Sequence, residues 1–189
     1  PERGYFLFVG AIEPKKNIDR LIQAFVSSRG DLPLVIVGPD AWKSQQEMQF
    51  LTMLKSSSHS QLLTRRIIRL GYLPGPQLKE LMRDARALIF PSLYEGFGLP
   101  VVEAMQLGTP VITSNTSSLP EIGGDAAIYV DPYDVHAIRK AIERLMDDDE
   151  LVARLGSMGR AQAAIYDQKR FEAQANKIFE TLSSDRSSR

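Results

Sequence analysis

Short runs of β-branched and aromatic residues alternate along this chain with stretches whose apolar residues recur every three to four positions. A strand buried on both faces reads as a continuous apolar run and an amphipathic helix as a stripe, so the alternation predicts βα units. Tyr5 to Val9 reads as a first strand stopped by Gly10. Ile18, Leu21, Ile22 and Phe25 form the stripe of a helix that Asn17 is placed to cap. Leu34 to Val37 is a second strand, ending at Gly38, and Met48, Leu51 and Leu54 put a helix over about Ala41 to Ser57. Ile67 to Leu70 makes a third strand, Leu78 to Ala85 a helix opened by the turn Pro74-Gly75-Pro76, and Ala87 to Phe90 a fourth strand. Proline near its first position and Gly108 just past its end bound a helix over Pro100 to Leu107. Val111 to Thr113 and Ala127 to Val130 are two further strands. Helices are predicted from about Val135 to Met146, Leu151 to Tyr166 and Arg170 to Leu182, and the polar tail 183–189 is expected to be disordered. The predicted fold class is α/β: a Rossmann-like, doubly wound parallel sheet with helices on both faces, occupying residues 1–182.

Length and composition narrow the classes. At 189 residues and 43% hydrophobic, the chain suits one packed domain and is short for two. Lys+Arg and Asp+Glu both number 23, which leaves no global electrostatic case for nucleic acid or an acidic membrane surface. Without cysteine there are no disulfides or thiolate metal sites. No apolar run approaches the roughly 20 residues that span a bilayer, and the entry straight into an apolar strand leads to the expectation of no signal peptide. A chain that begins at a strand's edge is equally compatible with a piece of something longer.

In an open parallel sheet, ligands bind beyond the carboxyl ends of the strands, where strand order reverses. For the order 3-2-1-4-5-6 that point brings together the segments 10–17, 91–103 and 114–121. In the first, Lys15 and Lys16 stand just ahead of a helix, where the macrodipole disfavours cations by about 0.3–1 kcal/mol each. Two readings fit: they hold a phosphate or diphosphate, or they form a solvated basic turn. In the second, Gly96 and Gly98 let backbone approach a ligand ahead of a helix N-terminus, although Val101 replaces the third glycine of a dinucleotide fingerprint. Glu103 lies among Val101, Val102, Ala104 and Met105, where a buried carboxylate needs partners such as ribose hydroxyls, or else serves the orphan amides of the first turn. Glu95 is either a sugar-hydroxyl acceptor or an ordinary surface acid. The loop 113–121, rich in small donors and acceptors, reads alone as a turn.

Together these segments resemble the C-terminal domain of glycosyltransferase family 4, retaining enzymes of the GT-B architecture. The likeness runs from Phe6 to about Leu182. It is most specific over Pro91-Ser-Leu-Tyr-Glu-Gly-Phe-Gly-Leu-Pro-Val-Val-Glu-Ala-Met105 and Gly108-Thr-Pro-Val-Ile112, which hold paired glutamates, Glu95 and Glu103, with seven residues between them. The resemblance implies that Glu103 binds the ribose and Glu95 the donor sugar. It also implies that backbone around Phe97, Gly98 and Leu99 takes up sugar and diphosphate, with Lys16 on phosphate and Lys15 beside it. Many members carry arginine where this chain has Ala11; others carry it at the place of Lys15, which keeps the charge without the bidentate fork. Gly71-Tyr72-Leu73 matches a loop that meets the nucleobase, mostly through backbone.

The implied protein is a retaining hexosyltransferase using Glu95 and Lys16 in catalysis, with a GDP-, UDP- or ADP-linked sugar as donor and no metal or other cofactor. The G-x-x-E-P-x-K-N segment resembles bacterial mannosyltransferases of polysaccharide assembly, so GDP-mannose is the first candidate. An N-terminal domain outside this chain would supply the glycan or lipid-linked acceptor site. It would also leave this half inactive alone, in a cytoplasmic protein peripheral to the inner membrane. A non-catalytic nucleotide-sugar-binding regulatory module is the alternative. A sugar-nucleotide epimerase of similar architecture would expect acid/base histidines in the cleft, whereas His59 and His136 read as solvent-facing. Asp147-Asp148-Asp149-Glu150 contains an Asp-x-Asp string but reads as an interhelical turn with acids at a helix N-terminus.

Overall fold

The computed structural model of the chain describes residues 3–56 and 65–166. Six strands, β1 (Phe6–Val9), β2 (Leu34–Val37), β3 (Ile67–Gly71), β4 (Ala87–Phe90), β5 (Val111–Ser114) and β6 (Ala127–Val130), form one parallel sheet. Their order is β3-β2-β1-β4-β5-β6, so the sequence of connections reverses between β1 and β4, as expected. The helices are α1 (Ile18–Val26), α2 (Ser44–Glu47), α3 (Gln49–Ser56), α4 (Gly75–Asp84), α5 (Leu99–Leu107), α6 (Leu119–Gly123), α7 (Val135–Asp147) and α8 (Asp149–Ala163).

Alternation along each strand divides the core in two. Phe6 and Phe8 of β1, Ile36 of β2, Ile89 of β4 and Ile112 of β5 pack under α1 and α7 with Leu21, Phe25, Ile138 and Ile142. Leu7, Val9, Val35, Leu88 and Phe90 face the other way, under Met82 of α4, Val101 and Met105 of α5, and Ile122 of α6. Helix α8 serves both, giving Leu155 to the first layer and Ala163 to the second. It passes close against α5, where a Cβ on Gly156 would stand 2.5 Å from the Gly108 carbonyl oxygen. None of the helices among the described residues is long and apolar enough to cross a membrane.

Three expectations shift. The helix expected over Ala41 to Ser57 starts only at Ser44, after Lys43 turns left-handed (φ 57°), and is two pieces because Met48 leaves helical geometry between α2 and α3. Helix α4 starts at Gly75 rather than Leu78, since Pro76 fits a first turn whose N–H groups are unpaired anyway. The loop 114–121 holds the start of a helix, α6, opened by Pro120. The helix expected over Arg170 to Leu182, the tail 183–189 and His59 lie outside the described residues.

Candidate functional site

The connection from β1 to α1 is a 3-10 turn, Pro14–Lys16, followed by Asn17 at φ 60°, ψ 36°. Asparagine tolerates this left-handed geometry better than most residues. Asn17 stands at the expected cap position, yet its side chain caps nothing. Its amide instead donates to the Pro91 carbonyl at 3.0 Å and the Pro132 carbonyl at 2.7 Å, and its oxygen accepts from Arg20. One buried side chain thus ties the start of α1 to the segments leaving β4 and β6. The Leu93 amide donates to the Lys15 carbonyl at 2.7 Å and closes the same corner.

That closure seats Lys16 beside Glu95. The ammonium lies 2.5 Å from Glu95 Oε1 and 4.8 Å from the centroid of the Phe90 ring, with both charged side chains 12% exposed. The charge that looked uncompensated along the sequence is compensated from 79 positions away, and both lysines fall in the last turn of the 3-10 segment. Lys15 differs: its side chain is half exposed and pairs with Glu13 at 3.1 Å.

The loop carrying Glu95 is clamped by the segment after β5. Thr116 Oγ1 donates to the Leu93 carbonyl at 3.3 Å, the Glu95 amide donates to Ser117 Oγ at 3.1 Å, and Ser118 Oγ bonds the carbonyls of Glu95 and Phe97, both at 3.0 Å. The Phe97 ring meets Tyr166 edge-on, with centroids 5.7 Å apart. Gly98 opens α5 at φ 99°, and a Cβ there would sit 2.8 Å from Leu119. Around Gly96 the space is open. The amides of Gly96, Phe97, Gly98 and Leu99 donate to no protein acceptor among the described residues. Glu95, paired with Lys16, leads directly into these four N–H groups at the switch point, where a helix N-terminus offers an anion donors that need not leave a protein partner.

Glu103 is elsewhere. The exposed stripe of α5 runs through Leu99, Glu103 and Gln106, so Glu103 is not the buried carboxylate that its apolar neighbours suggested. At 100° per residue those neighbours point to the core while Glu103 faces out. It lines a groove of about 410 Å³ between α4 and α5, with Gly75, Leu78, Lys79, Met82, Gln106 and Leu107. Partial burial in that wall raises its carboxyl above the usual range. Leu73, ahead of α4, is half-buried against the second core layer, and Tyr72 beside it is exposed.

Other candidates fall outside this region. His136 is exposed at the start of α7, 2.8 Å from Arg139. Asp148 caps α8 through the Leu151 amide and Asp149 pairs with Arg86, as an interhelical turn of acids would. The roles of Asn17, Ser117, Ser118 and Tyr166 in holding the site were not read from sequence. A signal existed only for the serines, in a loop rich in short hydroxyls.

A family model described as "Glycosyl transferases group 1" matches residues 1–162. The chain belongs to this family. O-antigen chain mannosyltransferase B of Escherichia coli is 39% identical over 165 residues, covering 85% of this glycosyltransferase chain and 42% of that protein. The MMP alpha-(1->4)-mannosyltransferase of Mycolicibacterium hassiacum is 34% identical over 147 residues, 71% of this chain and 35% of that one. The chain thus spans less than half the length of these relatives. Among solved structures, sucrose-phosphate synthase from Thermosynechococcus elongatus superposes with a TM-score of 0.82 at 27% identity, over 96% of this chain and 46% of that one. Anabaena HepE in complex with UDP and glucose superposes with a TM-score of 0.78 at 24% identity, over 97% and 49%. The doubly wound sheet is thus one half of a GT-B fold.

Proposed function

We propose that this domain binds the nucleotide-sugar donor of a retaining mannosyltransferase, with GDP-mannose as donor and a glycan or lipid-linked acceptor held by a second domain. The observation that carries the reading is the run of amides from Gly96 to Leu99, without a protein acceptor among the described residues, directly after Glu95 and its partner Lys16. Mannosyltransferase names among the relatives support the choice of sugar.

In such a transfer the bond between the anomeric carbon and the diphosphate oxygen breaks, and negative charge grows on the departing oxygen. Lys16 and the amides at the start of α5 stabilise that charge more than the ground state, an electrostatic role without a metal ion; the acceptor's hydroxyl oxygen bonds to the anomeric carbon and its proton passes to the departing diphosphate. Glu95 accepts from sugar hydroxyls and orients the ring, and Glu103 accepts from the ribose. Lys15 reaches the diphosphate only by leaving Glu13. Without the acceptor domain to orient both substrates and exclude water, this half binds donor and transfers nothing.

Isothermal titration with GDP, UDP and ADP tests the reading. Binding that survives a metal chelator and weakens more than about tenfold, ~1.4 kcal/mol, in each of Lys16→Met and Glu103→Ala is the expected result. A folded Lys16→Met variant with undiminished affinity removes Lys16 from the site, and no binding of any of the three removes the reading.

A further inference from the structure

A second groove lies on the face of the sheet opposite Glu103, between α2, α3 and the edge strand β3. Leu51 of α3 and Ile67 of β3 pack into the first core layer, whereas Met82 of α4 packs into the second. The groove holds about 560 Å³, within the roughly 300–1,000 Å³ of small-molecule sites, and its lining includes Asp40, Gln45, Met48, Gln49, Met53 and Arg69. Asp40 and Arg69 pair at 2.5 Å, which leaves the lining without net charge. Gln45 and Gln49 are exposed, and their side chains make no hydrogen bond among the described residues. Two positions from Asp40 stands Trp42, the single tryptophan of the chain, 69% exposed. Tryptophan is ordinarily buried over most of its surface. This one is held in place: the next residue, Lys43, is left-handed at φ 57° and sets its ammonium 4.4 Å from the ring centroid. The Ile12 amide donates to the Pro39 carbonyl at 2.9 Å and the Ala41 amide to the Ile12 carbonyl at 3.2 Å. The loop that carries Trp42 is thereby tied to the segment that runs on to Lys16.

We propose that Trp42 and this groove form a binding site for a neutral oligosaccharide, separate from the donor corner. A hexose offers hydroxyls that each donate and accept, around a ring whose C–H faces are apolar. Here carboxylate and amide oxygens accept, guanidinium and amide N–H groups donate, and the indole with the two thioethers covers a C–H face. An anionic ligand meets an arginine that is already paired, and a cation meets a paired aspartate, so charge selects neither. An apolar segment would leave the two glutamine amides without partners. Held there, a glycan product stays on the domain between transfers. The choice of mannose as its sugar rests on the donor-binding reading above; the site itself does not.

The test follows Trp42 fluorescence, which no second tryptophan obscures, while the whole chain is titrated with α-linked mannotriose. Calorimetry with the same sugar compares the parent with Trp42→Ala and Gln49→Leu, both at exposed positions. Expected is a saturable change with Kd below about 1 mM, weakened about fivefold or more in each variant. GDP, UDP and ADP titrations of the same samples report on the donor corner, and their affinities should stay within about twofold of the parent's. No saturable change in the parent, or mannotriose affinity that both variants keep, overturns the site. A Trp42 signal that shifts with protein concentration alone marks self-association through this face and overturns it as well. Mannotriose binding in a chain that binds none of the three diphosphates supports the site and overturns the donor reading.

Discussion

The two ends of the proposed donor site are built on opposite terms. In the corner between β1 and β4, polar side chains satisfy one another while backbone amides do not: Lys16 pairs with Glu95, Asn17 bridges two carbonyls, Ser117 and Ser118 hold the loop from behind, and the amides of Gly96 to Leu99 have no protein acceptor among the described residues. In the groove between α4 and α5, Lys79, Glu103 and Gln106 face outward from apolar walls. The corner is preorganised, which suits stabilising charge that appears only during reaction. The polar side chains of the groove, Lys79, Glu103 and Gln106, carry no ion pair or side-chain hydrogen bond among the described residues. Substitutions in the corner are therefore expected to act through stability, and substitutions in the groove to leave stability nearly unchanged.

Asn17→Ala breaks the comparison hardest. It strands two buried carbonyls and should cost about 3 kcal/mol in urea unfolding; a loss under about 1 kcal/mol would mean the tie is dispensable. Next comes a double-mutant cycle of Lys16→Met and Glu95→Gln. For a pair this shielded, a coupling of about 1–2 kcal/mol is expected, between the surface and fully buried cases, and a value near zero would make the corner no more preorganised than the groove. Ser118→Ala should cost about 1 kcal/mol, measured the same way, because one hydroxyl serves two carbonyls.

The smallest effect belongs to Glu103→Gln, which should leave stability nearly unchanged near pH 4 and raise it slightly near pH 7. The sign follows from the raised carboxyl: a folded-state value above the unfolded one favours the protonated form. The parent therefore loses that contribution as pH rises through the folded value, whereas glutamine has no proton to lose. Melting temperatures of parent and variant across about pH 4 to 7 check it, and a gap that narrows with rising pH contradicts the assignment.

Much of this was legible along the chain. The continuous apolar runs from Phe6, Leu34, Ala87 and Val111 could only be strands covered on both faces, and the reversal between β1 and β4 followed from the usual order of such sheets. Lys16 stands out because a cation ahead of a helix N-terminus breaks a local pattern, Gly98 because it precedes that of α5, and Glu95 only through the family likeness. Glu103 is the exception: its four apolar neighbours mark the opposite face of the helix rather than its surroundings, and the polar Gln106 three positions on marks the face it shares. Asn17 fitted a cap in sequence, and nothing local revealed that its amide reaches toward residues 74 and 115 positions away.

Periodicity, helix ends and the spacing of two glutamates are short-range properties, set by backbone sterics and by which side of each element must avoid water. On those grounds the sequence by itself determined the α/β class, the switch point and the family likeness. Only the tertiary structure decided the pairing of Lys16 with Glu95, the clamp from Ser117 and Ser118, and the outward face of Glu103. Those depend on which loops the sheet order sets side by side, and hydrogen bonds and ion pairs act over about 3–4 Å of space, whatever the separation along the chain.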